Sequence, residues 1–290
     1  MSKPQKLRVF KTMEAEEQFY AAYDAALKLW PISYNELHIP TRFGLTHVIA
    51  SGPDEAPPLV LLHPAGSPAI IWYRNVAPLG RHFRTYAVDV IGEVNKSVPT
   101  IPIQSRQELA DWIVDLFSGL KIESAHMVGN SFGGFLTLNT ALYLPERVKK
   151  IVLISPAATF VQIWAWYRYF FPAYLTGSKY LLRRAYDWIW QDFPIDESLA
   201  QIRAITRASG IPRHIPPTVF RDEELRKIET PTLLLIGDRE VIYEPHKAIR
   251  RASQFLPNLK AEIIKNANHN AEYTAAEEVN KKVLDFIVET

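Results

Sequence analysis

Ser131 has the strongest claim to covalent chemistry in this 290-residue chain, because it stands in Gly129-Asn130-Ser131-Phe132-Gly133 between an apolar run at 125–129 and a helix-compatible run at 135–144. A strand that turns sharply into a helix lifts such a hydroxyl above a sheet, and flanking glycines let the backbone fold back on itself. A serine hydroxyl is a weak nucleophile at neutral pH, so it needs an imidazole base and a buried acid to orient that base. Of the eight histidines, His269 follows the last apolar strand, 261–264, in the loop Asn266-Ala267-Asn268-His269. It therefore falls at the carboxyl edge of the strands, on the side of Ser131. The acid belongs after the penultimate strand, 232–236, where Gly237-Asp238-Arg239-Glu240 offers both Asp238 and Glu240.

The other histidines are worse placed. His38 and His47 precede the region of alternating strands and helices, His82 lies at the amino end of a strand, and His126 starts one. His214 lies in a segment between strands, and His246 falls near a helix start at the surface. His63, in His63-Pro64-Ala65-Gly66-Ser67 after the strand 59–62, reads as a brace for that loop. A tetrahedral oxyanion also needs backbone donors, each worth about 3 to 4 kcal/mol of the barrier. The N-H of Phe132, next to Ser131 at a helix N-terminus, is the first. Ala65 is the second, since Pro64 has no N-H to give.

Residues 13–29 have apolar positions at helical spacing and predict a leading helix stopped by Pro31. Residues 36–39 and 46–50 read as a strand pair around the turn at 41–44. From residue 59 the pattern changes: apolar strands at 59–62, 84–91, 125–129, 148–154, 232–236 and 261–264 alternate with helices such as 105–120, 244–255 and 276–288. Ser105 with Glu108 three residues on has capping-box spacing. This alternation predicts an α/β fold with a doubly wound, mostly parallel sheet whose sites lie at the strands' carboxyl ends.

The alternation stops between residues 157 and 229, where Trp164, Trp166, Trp188 and Trp190 accompany many tyrosines and phenylalanines. That segment is expected to be an inserted helical cap. The division that follows is an N-terminal helical extension at 1–35, a core at 36–156 and 230–290, and the cap at 157–229. Most of the aromatics should pack the cap's own interior; Trp164, Trp166 and Tyr167, with Trp72 from the core, are the candidates to meet a substrate.

Composition narrows the function classes. There are no cysteines, which excludes disulfides, thiolate metal sites and a cysteine nucleophile. The formal net charge is +2 with signs interspersed, so no nucleic-acid partner is expected. Residues 1–17 are charged throughout and lack the apolar stretch of a secretion signal, from which a cytoplasmic location is expected. The longest uncharged run, 151–167, is broken by Pro156 and Gln162 and is too short to span a bilayer, so no stable membrane association is expected. No cofactor or metal is implied, since histidines and carboxylates show no ligand spacing. A homodimer is compatible with the sequence.

Together, His63, the Asp89-x-x-Gly92 turn, the glycines around Ser131, the loop 237–240 and Asn268-His269 resemble the α/β-hydrolase fold from about residue 41 onward. More narrowly, residues 41–53 and 240–246 resemble bacterial serine carboxylesterases of the naproxen-esterase type. The resemblance implies a Ser131, Glu240, His269 triad, favouring Glu240 over Asp238, in the chain order serine, acid, histidine. It departs from that family where Pro64 and Asn268 replace glycines. The expected activity is cleavage of a small-molecule carboxylic ester through an acyl-enzyme, with apolar or aryl acyl groups. Carbon-carbon bond hydrolysis, lactone hydrolysis or perhydrolysis on the same triad, and a non-catalytic ligand receptor, are the alternatives.

Overall fold

Thr12 caps the first helix, α1 (Met13–Leu27), by accepting the Ala15 N-H at 3.1 Å. The computed structural model that shows this describes residues 6–190 and 194–288. Strands β1 (Tyr34–Thr41) and β2 (Gly44–Ser51) form the antiparallel pair, closing at Thr41 opposite Gly44. Next come β3 (Pro58–Leu62), α2 (Tyr73–Leu79), β4 (Arg84–Val88), the two-residue β5 (Val98–Pro99), α3 (Arg106–Leu120), β6 (Ala125–Asn130), α4 (Phe132–Tyr143) and β7 (Val148–Ile154). An insertion then carries α5 (Trp164–Thr176), α6 (Lys179–Trp190), α7 (Glu197–Ser209) and α8 (Asp222–Arg226). The chain closes with β8 (Thr232–Gly237), α9 (Pro245–Phe255), β9 (Leu259–Ile264), α10 (Ala271–Thr274) and α11 (Ala276–Val288).

The strands lie in the order β1-β2-β4-β3-β6-β7-β8-β9, with β5 paired to β2. From β4 to β9 every pairing is parallel. Along β3 the side chains alternate between two layers: Val60 and Leu62 join a core with α3, α4 and α9, while Leu59 and Leu61 join one with α1, α2 and α11. Burial of each such side chain stabilises the sheet by about 1.5 to 3 kcal/mol.

Three features differ from the expectation. The strand expected over 84–91 stops at Val88, because Asp89 turns to accept the Ala69 N-H at 2.7 Å and Gly92 adopts φ +84°. Helix α2 carries no clear periodic signal, since Pro78 lies inside it; the Arg74 carbonyl, which Pro78 cannot serve, accepts from Asn280 Nδ2 at 3.1 Å instead. And the last turn of the insertion, α8, joins the core: Leu225 and Ile228 are buried with α3 and α4. The N-terminal segment braces the rest of the insertion, pairing Phe10 with Gly210 and donating the Lys11 N-H to Ser209 O at 2.8 Å.

Candidate active site

Gly129 and Gly133 permit the turn that carries Ser131. A Cβ at Gly129 would stand 2.1 Å from the Gly133 carbonyl oxygen, and one at Gly133 would stand 2.0 Å from that of Leu62. The second contact matters for chemistry, because it seats the elbow against the end of β3 and so beside the loop 63–67. Ser131 itself adopts φ +52°, a strained value for a residue with a side chain. Its N-H donates to Ile154 O at 2.9 Å, and its carbonyl accepts from Phe135 and Ala157, which tie the strained residue down on both sides.

His269 stands in the loop after β9, with Nε2 2.9 Å from Ser131 Oγ and Nδ1 2.7 Å from Glu240 Oε2. The other Glu240 oxygen accepts the Ile242 N-H at 2.9 Å, and its side chain is completely buried. Asp238, the rival acid, points outward and is exposed; its backbone N-H donates to Ile264 O. Gly237 lets the two loops meet, since a Cβ there would lie 2.2 Å from Ala267 O. Asn268 supports the turn through its side-chain oxygen, which accepts the Asn270 N-H at 2.9 Å.

The loop 63–67 faces this line. His63 Nε2 accepts the Val90 N-H at 2.9 Å, so Nδ1 carries the proton and donates to Pro64 O at 2.9 Å. Burial holds its pKa below the usual histidine value, in keeping with the neutral ring that this arrangement requires. Pro64 O and the Ala65 N-H belong to one planar peptide, so fixing the carbonyl fixes the direction of the opposite N-H. Ala65 and Phe132 both line the same cavity as Ser131 and His269.

That cavity, about 510 Å³, is walled mainly by apolar groups, among them Ile163, Phe170 and Ile242. Of the four aromatic residues expected at a substrate, Tyr167 lines it. Trp72 does not: it is buried in the core layer with α1, α2 and α11, because the one-turn 3-10 helix before α2 directs it inward. Trp164 is 71% exposed, its ring tilted against that of Tyr167 with centroids 6.2 Å apart. The side chain of Trp166 lies outside the described residues. Phe170, Glu93 and His214 are cavity residues that sequence reasoning passed over. Phe170 follows Tyr167 by one helical step, which was the available signal.

Residues 59–282 match the alpha/beta hydrolase family. The chain is 42% identical over 279 residues to an uncharacterized carboxylesterase, Nap, of Bacillus subtilis (strain 168), covering 93% of this chain and 92% of that protein. It is 41% identical to carboxylesterase YbfK of the same organism, over 96% of each. The crystal structure of naproxen esterase (carboxylesterase NP) from Bacillus subtilis superposes with a TM-score of 0.90 at 41% identity, covering 95% of this chain and 99% of that one.

Proposed function

The chain belongs to the alpha/beta hydrolase family, and from that premise we propose that it is a serine carboxylesterase with Ser131, His269 and Glu240 as its catalytic residues. The observation that carries the assignment is the continuous line from Ser131 Oγ through both nitrogens of His269 to Glu240, at 2.9 and 2.7 Å, opening on a largely apolar cavity. His269 takes the serine proton as Oγ attacks the ester carbonyl, and Glu240 stabilises the imidazolium that forms. The N-H groups of Phe132 and Ala65 receive the oxyanion. Collapse expels the alcohol, protonated by His269; water, deprotonated by the same ring, then releases the carboxylic acid.

Helices α5 to α7 act as a cap over the cavity, and Tyr167 and Phe170 from α5 favour apolar or aryl acyl groups. A burst of p-nitrophenol from p-nitrophenyl butyrate, with one organophosphonate adduct on Ser131 by mass spectrometry, is the expected result. Ser131→Ala should lower kcat by about 10⁴-fold or more. Full activity in that variant would dismiss the assignment.

A further inference from the structure

Beside the loop 63–67 lies another buried pair of a carboxylate and a histidine. Glu93 follows the turn after β4 and is 1% exposed; one carboxylate oxygen accepts the Gly66 N-H at 3.0 Å and the other meets His214 Nε2. His214 comes from the insertion, at the far end of the sequence between α7 and α8. Its Nδ1 donates to Ile215 O at 2.8 Å, so both ring nitrogens are engaged and neither is offered to a substrate. The ring stacks on Phe132, with centroids 4.3 Å apart and planes inclined by 27°. Docking at this point is close: the Arg213 N-H donates to Gly92 O at 2.7 Å, and a Cβ on Gly92 would lie 2.8 Å from Arg213 O.

These contacts converge on the oxyanion-binding backbone. The peptide before Ala65 is held through Pro64 O by His63, and the peptide after it through the Gly66 N-H by Glu93. With both planes fixed, the Ala65 N-H has little freedom to turn. Phe132, whose N-H is the other donor, is packed under the His214 ring. We propose that Glu93 and His214 are a positioning pair for the oxyanion site, through which the docked insertion sets the geometry of both donors. The inference rests on the esterase reading above.

The electrostatics suit a paired role. Burial works against the charged Glu93, but the His214 ring outweighs it and holds the carboxyl below the usual range. Burial likewise works against a charged His214, but Glu93 and the Ile215 carbonyl raise it above the usual histidine value. The titratable groups facing the imidazole are Glu93 and, from the loop after β3, His63. Lys11, Arg203, Arg207 and His269 also line the cavity.

Kinetics per active site, counted by phosphonate titration, separate this role from folding. Glu93→Ala frees the Gly66 N-H and should lower kcat about 10- to 100-fold, less than or equal to the loss of a whole oxyanion donor, with KM within about threefold. Inhibition by an alkyl trifluoromethyl ketone, whose hemiketal adduct with Ser131 Oγ places an oxyanion in the same site, should weaken by a similar factor. Glu93→Gln keeps an acceptor for Gly66 and should recover most of the rate. His214→Phe keeps the stack on Phe132 but breaks the link to Glu93; about a tenfold loss is expected, and the double variant with Glu93→Ala should be no worse than Glu93→Ala alone. If Glu93→Ala does not fold, His214→Phe and Glu93→Gln carry the test. Unchanged kcat and ketone affinity per titrated site in His214→Phe, or equal losses in Glu93→Gln and Glu93→Ala, would overturn the pair. A wild-type protein that gives no burst would instead sink the esterase reading, which is a separate outcome.

Discussion

Besides the Glu93–His214 pair, two regions of this molecule hold a buried histidine against a buried carboxylate, and the two differ in what surrounds the ring. Where β1 and β2 meet the end of β4, His47 Nδ1 faces Asp89 at 2.8 Å and Nε2 faces Glu36 at 2.9 Å, with Lys96 joining Glu36. At the carboxyl edge of the sheet, His269 Nδ1 faces Glu240 at 2.7 Å, but Nε2 faces a serine hydroxyl and an open cavity. The chemical pair is the same; the partner of the second nitrogen decides the role. A ring with carboxylates on both sides is a cross-link between β2, β4 and β1. A ring with one carboxylate and one hydroxyl has the arrangement that the proposed general base requires.

The contrast predicts different kinetic phenotypes. His269→Ala should lower kcat by about 10⁴- to 10⁶-fold; it also leaves the buried Glu240 carboxylate without its imidazole and costs stability, so the loss of rate in the folded fraction is the readout that separates the two regions. Retention of a tenth of the activity would show that another base serves Ser131. His47→Ala should cost stability with little loss of rate, because it leaves Asp89 buried without its imidazole partner. Loss of one partner from a buried pair costs about 3 to 5 kcal/mol, to be read from urea melts, while kcat per titrated active site stays within about threefold. A stable His47→Ala variant with a lost burst would erase the distinction between the two regions.

Sequence reading distinguished these regions unevenly, for physical reasons. The strand-end positions of Ser131, Glu240 and His269 were legible because an apolar run marks each strand, and because glycine at 129, 133 and 237 is forced by backbone contacts near 2 Å. Their mutual distances were not, since they depend on how β6, β8 and β9 lie in the sheet. Trp72 misled because an aromatic after an active-site loop carries no record of which side of the backbone it takes. Glu93 and His214, 121 residues apart, meet only when the insertion docks, and no local pattern encodes that. Helix α2 hid behind Pro78, whose cost is met by Asn280 from a distant helix.

A third acidic group sharpens the comparison, because it is buried without a base of its own. Glu272 follows His269 by three residues, is fully buried, and lies beside the Asn130 amide; burial pushes its pKa up to about 7. The folded state therefore holds this proton over a range in which the unfolded chain, near 4.5, has released it. Stability from this group is present below about pH 4.5 and is lost as pH rises through about 7, a total of about 3 kcal/mol. Glu272→Gln removes the dependence. Its stability relative to wild type should improve by about 3 kcal/mol between pH 4.5 and pH 8 in paired urea melts. A pH-independent difference would mean that Glu272 is ionised throughout, as the paired Asp89 is expected to be.

The smallest expected effect tests the choice between neighbouring acids in one loop. Asp238 and Glu240 are two residues apart, yet the turn after β8 sends the first side chain to solvent and the second beneath His269. An exposed carboxylate with no ion pair among the described residues contributes little, so Asp238→Asn should change stability by less than about 0.5 kcal/mol and kcat by less than about twofold. Glu240→Gln, measured beside it, should lose kcat by orders of magnitude, because an amide can present its N-H to His269 and select the wrong tautomer. A hundredfold loss in Asp238→Asn would show that the loop exchanges which carboxylate it buries, and the structural distinction between a solvated acid and an orienting one would fail at the place where the two are closest in sequence.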